Sequence, residues 1–425
     1  MSGLAKFLHE QGAEVYGSDL VENETVNSLR KAGIQVSVPQ KKENVNDSFD
    51  EVIYTSAITP GSPGDAELQE AYKLGIKTVK RAQKIGELTR NYKTVAISGT
   101  HGKSTTTAMV LQILIEAGKD PSALLGSNFD LIKSNHRLGK SDLLVIESDE
   151  FDRSFLNFYV DFGAILNVEA DHLDYFKKGI EEIKETFAKY IQENFKEKSF
   201  LVYNSDDENL SQIISKTHRS DIEKKTFGEV GDYKLFEIKL NLSVPGAHNQ
   251  KNALAALAIA EKIGIRREDA IFSLEKFKGA ARRFDFKGEK NQIKVYDDYA
   301  HHPTEVKATL EAARDKFKKS RIIAVFQPHQ YSRTYFFAKD FASSFTRADI
   351  VIIPPIYEAA GRDEEKKISN FKLASMIKAR GKEVFATKSF KETTEMLNQI
   401  SKAGDVIIVM GAGPIYQVAD KFLSE

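Results

Sequence analysis

The sequence predicts an α/β fold of three domains in which parallel strands alternate with helices. Apolar strand-like runs alternate with helical patterns almost throughout the 425 residues, as expected for parallel sheets covered by helices. The chain is long enough for two to four domains at roughly 100–200 residues each. A glycine-rich loop ending in Gly102-Lys103-Ser104 joins one of these strands to a helix. Phosphate-binding loops occupy this position in such folds.

The composition excludes several classes of protein. Hydrophobic residues make up 41% and charged residues 29% of the chain, which is typical of globular domains. The 61 basic and 61 acidic residues cancel, so no overall field attracts nucleic acid or an anionic membrane. The absence of cysteine excludes disulfides, thiolate catalysis and cysteine-ligated zinc. Because we find neither an apolar run of about 20 residues nor a signal-peptide pattern, we expect a soluble, cytoplasmic protein.

The three predicted domains follow one another along the chain. Residues 1–91 are predicted to be Rossmann-like, with strands at 14–17 and 51–54. Residues 92–287 are predicted to form a central parallel sheet of the P-loop ATPase type, with strands at 94–97, 143–147, 164–167 and 200–204 and an alanine-rich helix at 252–263. Residues 288–425 are again predicted to be Rossmann-like, with strands at 293–297, 321–326, 350–353 and 406–410.

The strongest single motif is the glycine-rich loop that opens the first helix of the central domain. Glycines let the backbone wrap a polyphosphate, and the N–H groups at a helix start supply positive potential. Lys103 is predicted to reach the β- and γ-phosphates as a catalytic residue, and the Ser104 hydroxyl to bind Mg²⁺. The loop is a shortened variant of the common pattern, and an ordinary turn that opens a helix is the alternative. The predicted ATP-binding residues are Gly99, Thr100, His101, Gly102, Lys103, Ser104 and Thr105.

Acidic residues and a histidine follow two strands of the central domain. Glu147, Asp149 and Glu150 come at the end of one strand, and His172 follows the next strand. Oxygen donors beside a phosphate loop suit Mg²⁺, so Glu147 is a predicted metal ligand together with Ser104. His172 is predicted to bind a second Mg²⁺ and to act in catalysis. Each segment by itself is also compatible with a solvated loop or a structural pair.

Two further groups of polar residues stand at the end of the central domain. His248, Asn249 and Asn252 open the alanine-rich helix, where amide side chains can read the edges of adenine. A helix cap without a ligand is the alternative. Arg282 and Arg283 lie at an apparent domain junction, where a guanidinium could stabilise a transferring phosphoryl group. The alternative is a solvated linker.

The loop at 99–106 resembles the ATP loop of the Mur ligase family. Other segments resemble the family in the same order, namely Glu147–Asp152, Asn167–His172, Pro245–Asn252, Ala281–Phe284 and Asp297–Glu305. The resemblance covers nearly the whole chain. It implies that Arg283 and His301 act in catalysis and that the segment from His248 to Asn252 holds adenine. The residues predicted to contact the substrates are Asp149, Glu150, His302 and Arg333, although His301, His302 and Arg333 are also compatible with surface loops.

Within the family, two segments favour members that ligate L-alanine to the lactyl carboxylate of UDP-N-acetylmuramate. These segments are Phe326–Thr334 and His302–Glu305. The resemblance implies ATP and Mg²⁺ as cofactors, an acyl phosphate intermediate and a role in peptidoglycan precursor synthesis. A family member that recycles a murein tripeptide, and an ATP-binding relative without turnover, are the alternatives. We expect a monomer or weak homodimer with no nucleic-acid or membrane partner.

The resemblance also predicts a departure at the N-terminus. Relatives carry an apolar strand and a glycine-rich turn before the helix at which this chain begins, and only Ser2 and Gly3 resemble the end of that turn. We therefore expect an N-terminal UDP-substrate domain that lacks its first strand and glycine-rich loop. Since such a turn normally holds a pyrophosphate, this form should bind the UDP substrate poorly.

Overall fold

The structure, a computed structural model, describes residues 1–358 and 365–425. The contacts between residues divide the chain into two compact units. The first unit comprises Met1–Ala170, Ile180–Lys239 and Ala253–Leu274, and the second comprises Asp171–Gly179, Leu240–Asn252 and Glu275–Glu425. No helix among the described residues is long and apolar enough to cross a lipid bilayer. The charged run that begins at Asp363, whose composition predicts a solvated loop, lies partly outside the described residues.

The first 91 residues form short helices and strands. They are α1 (Ser2–Glu10), β1 (Tyr16–Ser18), α2 (Glu24–Lys31), β2 (Gln35–Ser37), β3 (Glu51–Tyr54), α3 (Asp65–Lys73), β4 (Lys77–Lys80) and α4 (Arg81–Asn91). Strand β1 pairs in parallel with β2, and β3 pairs in parallel with β4. The strand predicted at 51–54 is confirmed. The strand predicted at 14–17 is displaced to Tyr16–Ser18, because its pairing with β2 begins at Tyr16. The expected lack of a first strand and glycine-rich loop stays a prediction.

The central part of the chain forms an eight-stranded sheet in the order β12-β11-β10-β9-β5-β8-β6-β7. Its elements, with the helices that follow it, are β5 (Lys93–Ser98), α5 (Lys103–Glu116), β6 (Ser122–Phe129), β7 (Ser134–Arg137), β8 (Leu143–Ser148), β9 (Val160–Ile165), α6 (Ile180–Asn194), β10 (Phe195–Asn204), α7 (Glu208–Ser215), β11 (Glu223–Gly228), β12 (Tyr233–Lys234), α8 (Ala247–Lys262) and α9 (Arg267–Glu275). All neighbours are parallel except β6 and β7. The strand predicted at 164–167 runs from Val160 to Ile165 instead, because its pairing with β5 and β10 ends at Ile165.

Helix α5 fixes the position of the phosphate loop. Its residues from Ser104 to Leu114 are all buried, and its second half is apolar on nearly every side, as expected for an enclosed helix. It packs against β5, β6 and β8. In the sheet, Ile97 of β5 pairs with Glu147 of β8, and Ser98 pairs with Ile165 of β9. The carboxyl ends of three neighbouring strands therefore lie side by side at the start of α5.

The C-terminal part forms a six-stranded sheet in the order β13-β14-β18-β15-β16-β17. Its elements are β13 (Asp285–Lys290), β14 (Ile293–Asp298), α10 (Pro303–Lys316), β15 (Ile322–Phe326), α11 (Tyr331–Phe336), α12 (Ala338–Ser344), β16 (Ile350–Ile353), α13 (Asn370–Lys378), β17 (Glu383–Ala386), α14 (Phe390–Ile400), β18 (Val406–Met410) and α15 (Tyr416–Ser424). The strands are parallel except for the antiparallel pair β13–β14. Buried apolar clusters cover both faces. Because β13 pairs with β14, this sheet begins at Asp285, slightly before the predicted boundary at 287.

Candidate functional site

The loop between β5 and α5 depends on two glycines. Gly99 has a φ of +130° and Gly102 a φ of +84°, a region that side chains other than glycine rarely adopt. A Cβ at Gly99 would lie 3.0 Å from the backbone nitrogen of Asn167. Gly102 is the cap residue of α5, and it has no side chain that could occupy the first N–H groups of the helix. The first N–H groups of α5 are therefore directed at the loop, which suits an anion.

Lys103 is held inside the loop by backbone and carboxylate oxygens. Its Nζ donates to the carbonyl oxygens of Gly99 at 2.6 Å and Thr100 at 3.3 Å, and to Oε2 of Glu150 at 2.9 Å. Asp149 lies 3.7 Å from the same nitrogen. Burial opposes the charged form, but the carboxylates of Glu150 and Asp149 outweigh it and raise the pKa of Lys103. Burial raises the pKa of Glu150, against the opposing charge of Lys103. The loop thus holds a permanent cation.

Ser104 and Glu147 form a pair of oxygen donors beside this cation. The Ser104 hydroxyl donates to Oε2 of Glu147 at 2.9 Å, and the backbone N–H of Gly126 donates to Oε1 at 2.6 Å. A Cβ at Gly126 would lie 2.8 Å from Oε2, so this close approach requires glycine. A hydroxyl and a carboxylate at the end of a strand are ligands that Mg²⁺ prefers. The residues present therefore fit the predicted metal ion.

Asn167 clamps the phosphate loop, a role that the sequence analysis missed. Its Oδ1 accepts from the backbone N–H of His101 at 2.7 Å, and its Nδ2 donates to the carbonyl oxygen of His101 at 3.1 Å. Its carbonyl oxygen accepts from the N–H of Thr100 at 3.1 Å. The N–H of Glu169 donates to the Thr100 hydroxyl at 2.9 Å. An asparagine directly after a buried strand was the available signal.

In the second unit, Asp171 and Arg333 form a buried ion pair. The guanidinium Nε lies 3.0 Å from Oδ1, and Nη2 lies 3.2 Å from Oδ2. The Arg333 and Asp171 side chains are only 6% and 7% exposed. Nη1 of Arg333 also lies 3.1 Å from Nδ1 of His329. The adjacent His172, at a φ of +51°, donates its backbone N–H to Asp171 at 2.7 Å. Arg333 is therefore fixed by a carboxylate that the sequence analysis did not single out.

The two arginines before β13 have different surroundings. Nε of Arg282 lies 2.8 Å from Oδ2 of Asp297, so Arg282 is already paired. The Arg283 guanidinium lies 5.0 Å from the centre of the Tyr299 ring, and its side chain makes no hydrogen bond or ion pair within the described part of the chain. Of the two arginines, Arg283 is the one whose guanidinium is available to a ligand, and its role in catalysis stays a prediction.

The loop after β14 presents two histidines and a buried carboxyl. Nδ1 of His301 lies 3.0 Å from the carbonyl oxygen of Tyr299 and 3.1 Å from Oε2 of Glu305. His302 caps α10 and shares a capping box with Glu305. Burial raises the pKa of Asp298 to about 6, although the charge of Arg283 opposes the shift. The sequence analysis did not single out Asp298. Its position at the end of a buried strand was the available signal.

The predicted adenine-binding residues stand at the start of α8. Nδ2 of Asn249 donates to the carbonyl oxygen of Pro245 at 2.7 Å, and Nδ2 of Asn252 donates to Oδ1 of Asn249 at 3.4 Å. Both asparagines are buried, whereas His248 is exposed. The two amides therefore form a short hydrogen-bonded chain, and their contact with adenine stays a prediction.

Sequence comparisons connect this geometry to known proteins. Three family profiles match in chain order: "Mur ligase family, catalytic domain" at residues 1–93, "Mur ligase middle domain" at 97–260 and "Mur ligase, glutamate ligase domain" at 282–413. A UDP-N-acetylmuramate–L-alanine ligase of Clostridium kluyveri is 40% identical over 100% of this chain and 96% of that protein. The chain belongs to the Mur ligase family. A relative from Sulfurihydrogenibium, with the same enzyme name, is also 40% identical, over 100% of this chain and 96% of its own length.

Solved structures agree with the fold of this Mur ligase. A UDP-N-acetylmuramate–alanine ligase of Thermotoga maritima has a TM-score of 0.83 and 28% identity, with 100% of this chain and 96% of that one covered. A murein peptide ligase of Psychrobacter arcticus has a TM-score of 0.72 and 21% identity, with the same coverage, and shows the fold alone. The predicted three-domain α/β fold and membership of an ATP-using ligase family are confirmed.

The structure groups most of the predicted site residues of this Mur ligase into two sets. The first set lies around one loop of the first unit, where hydrogen bonds or close approaches connect Lys103, Ser104, Glu147, Asp149 and Glu150. In the second unit, charges that act on Asp171 come from Arg333, His172, His301 and His302. The roles of these residues stay predictions, as do the domain boundaries.

Proposed function

We propose that this Mur ligase joins L-alanine to the lactyl carboxylate of UDP-N-acetylmuramate, with conversion of ATP to ADP and phosphate, in peptidoglycan precursor synthesis. The observation that carries the proposal is the Lys103 ammonium held in a glycine loop beside the Ser104–Glu147 pair. That arrangement suits phosphoryl transfer to a carboxylate. The choice of the two other substrates rests on relatives that are 40% identical along the whole chain. A cytoplasmic location and a monomeric or weakly dimeric state are further predictions from the sequence.

The first chemical step forms an acyl phosphate. A carboxylate oxygen of the lactyl group attacks the γ-phosphorus, the bond from that phosphorus to the β–γ bridging oxygen breaks, and ADP leaves. Such a step needs in-line positioning and charge neutralisation more than proton transfer. Lys103 neutralises the γ-phosphate, and the unpaired Arg283 stabilises the charge that moves to ADP. Mg²⁺, held by Ser104 and Glu147, would add a divalent charge at the phosphates, and His172 is the proposed ligand of a second ion.

The second step transfers the acyl group to the amine. The nitrogen of L-alanine attacks the acyl carbon, the carbon–oxygen bond to phosphate breaks, and the amine loses a proton. We assign His301 to receive that proton, because its Nδ1 is engaged by Tyr299 and Glu305, which leaves Nε2 as the free acceptor. Closure of the site around the acyl phosphate would exclude water, which would otherwise hydrolyse it.

The remaining proposed contacts differ in how well their geometry fits a ligand. Arg333 is fixed by Asp171, as a group that binds a carboxylate or phosphate must be. Glu150 holds Lys103 and His302 caps α10, so both have a structural task besides any contact with substrate. Asp149 is exposed and is the more accessible carboxylate at the loop. The residues proposed to hold adenine are His248, Asn249 and Asn252.

Phosphate release tests the proposal directly. We expect release to require ATP, Mg²⁺, UDP-N-acetylmuramate and an amine together, with L-alanine preferred over glycine and L-serine. A pocket sized for one methyl group gains about 1–3 kcal/mol, so glycine should be slower by about 5- to 150-fold. Selective use of the tripeptide L-alanyl-γ-D-glutamyl-diaminopimelate would instead indicate the recycling reaction. Nucleotide binding without release for any amine would indicate a protein without turnover.

A further inference from the structure

The Arg81 guanidinium is enclosed but has no partner. Arg81 is the first residue of α4, and its Nε is buried without a hydrogen bond. Within residues 1–358 and 365–425 its side chain makes no hydrogen bond and no ion pair. Burial lowers the pKa of Arg81, and the charges of Glu147 and Asp149 oppose that shift. The two carboxylates are thus near enough to act on Arg81 without contacting it.

Neighbouring contacts hold Arg81 against the end of β8. Lys80, the cap residue of α4, places its Nζ 2.9 Å from Oδ2 of Asp152. The hydroxyl of Ser56, which follows β3, donates to the same carboxylate. Asp152 itself has a φ of +53°, a left-handed backbone conformation that residues other than glycine keep only where the surroundings fix it. The junction of β4 and α4 is therefore fastened to the acidic segment that follows Glu147.

An enclosed guanidinium without a partner indicates a missing anion. Arginine cannot lose its proton in a protein, and a buried unpaired charge costs several kcal/mol. Glu147 acts on Arg81 only through space, because the hydrogen bonds that its oxygens accept come from Ser104 and Gly126. A ligand that brings an anion next to the phosphate loop would satisfy Arg81.

The chemistry of the reaction identifies that anion. The phosphates already have Lys103 and the start of α5, whereas no cation assigned in the first unit faces the acyl carboxylate as it approaches a polyphosphate of like charge. Arg81 belongs to the N-terminal stretch and not to the phosphate loop, and its planar fork matches a carboxylate. We propose that Arg81 binds the carboxylate of the acyl substrate and orients it for attack on the γ-phosphate. This inference rests on the proposed function.

Binding measurements with a neutral analogue test the inference. UDP-N-acetylmuramate and its lactyl methyl ester are titrated by calorimetry into wild type, Arg81→Ala and Arg81→Lys, with Mg²⁺ and a non-hydrolysable ATP analogue present. Wild type should prefer the acid by about 10- to 100-fold, the range of a hydrogen bond to a charged group. Arg81→Ala should lose that preference, Arg81→Lys should keep part of it, and all should bind the ATP analogue equally. Arg90→Ala is the matched control, since Arg90 lies on the same helix, is exposed and donates to the Tyr159 hydroxyl.

Each other outcome overturns the inference in a recognisable way. Equal weakening of acid and ester in Arg81→Ala would place Arg81 on another part of the UDP substrate. Weaker binding of the ATP analogue alone would place it on the γ-phosphate. An undiminished preference for the acid would make Arg81 structural. If wild type binds neither UDP ligand, the proposed function fails and the inference fails with it, whereas the first three outcomes leave the proposed function intact.

Discussion

Replacement of Asp171 by asparagine measures how far the Arg333 guanidinium depends on its carboxylate. The two side chains make N–O contacts of 2.9, 3.0 and 3.2 Å and are 6–7% exposed. Removal of one partner from a buried ion pair costs about 3–5 kcal/mol, because the remaining charge stays desolvated. Asparagine preserves the shape and one acceptor oxygen, so we expect Asp171→Asn to lower the free energy of unfolding by about 3 kcal/mol at pH 7.

Urea denaturation followed by far-ultraviolet circular dichroism provides the assay. Midpoints are compared only where the denaturant slope is unchanged. Glu22→Gln is the control, because it breaks the exposed pair of Glu22 and Arg30, whose side chains are 57% and 40% exposed. That pair should contribute less than about 1 kcal/mol. The double variant Asp171→Asn/Arg333→Met should recover most of the lost stability, since an apolar side chain needs no counter-charge.

The pH dependence gives an independent check. Burial opposes ionisation, but the charges of Arg333, His172, His301 and His302 outweigh it and hold the pKa of Asp171 well below its usual range. A depressed pKa contributes stability above the unfolded value of about 3.9 and loses it as the pH falls further. The difference in free energy of unfolding between wild type and Asp171→Asn should therefore become smaller below about pH 4. A variant within about 1 kcal/mol of wild type at pH 7, or a strictly additive double variant, would refute this reasoning.

Three further predictions concern the loop and its surroundings. Lys103→Ala should lower kcat by about 100- to 1,000-fold with an unchanged circular dichroism spectrum, and retention of more than about a tenth of the activity would contradict its role. Glu147→Gln should raise the Mg²⁺ concentration for half-maximal activity by about 10-fold or more, and a titration that overlays wild type and the exposed control Glu229→Gln would make Glu147 structural. The pKa of Asp298 is raised to about 6. Its ionisation should therefore lower the free energy of unfolding of wild type by at most about 3 kcal/mol as the pH rises from about 4 to 6. In Asp298→Asn the urea midpoint should not fall over this pH range. Parallel curves of midpoint against pH for wild type and the variant would contradict the prediction.

Local patterns explain which parts of the fold the sequence predicts. A continuous pattern of apolar residues, glycines and a lysine runs through strand β5, the glycine loop and α5. This pattern predicts both the fold and the ATP loop from the sequence. Strand β13 is different, because its sequence Asp-Phe-Lys-Gly-Glu-Lys is polar and its side chains are partly or fully exposed. Its pairing with β14, and not an apolar run, makes it a strand. The three-residue strands β1 and β2 likewise carry too few residues for a periodic pattern.

The partners of the site residues were less predictable than the residues themselves. Lys103, Ser104 and Glu147 belong to motifs that a single sequence displays. Asp171 and Arg333 are separated by 162 positions, so no local pattern indicates that they pair. The isolation of Arg81 is equally invisible in the sequence, because it is defined by the partners that this side chain lacks within the described residues. Tertiary contacts alone distinguish such groups from ordinary surface charges.

The enclosure of Lys103 also determines when its ammonium loses its water. The Lys103 side chain is only 15% exposed, and the carbonyl oxygens of Gly99 and Thr100 stand where water would otherwise hydrate its ammonium. Most of the dehydration of the ammonium is therefore expected to take place during folding and not on nucleotide binding. A phosphate that binds this ammonium would take the place of the Glu150 carboxylate, one anion for another. Nucleotide binding at this loop is thus an exchange of counter-ions around a cation that is already largely desolvated.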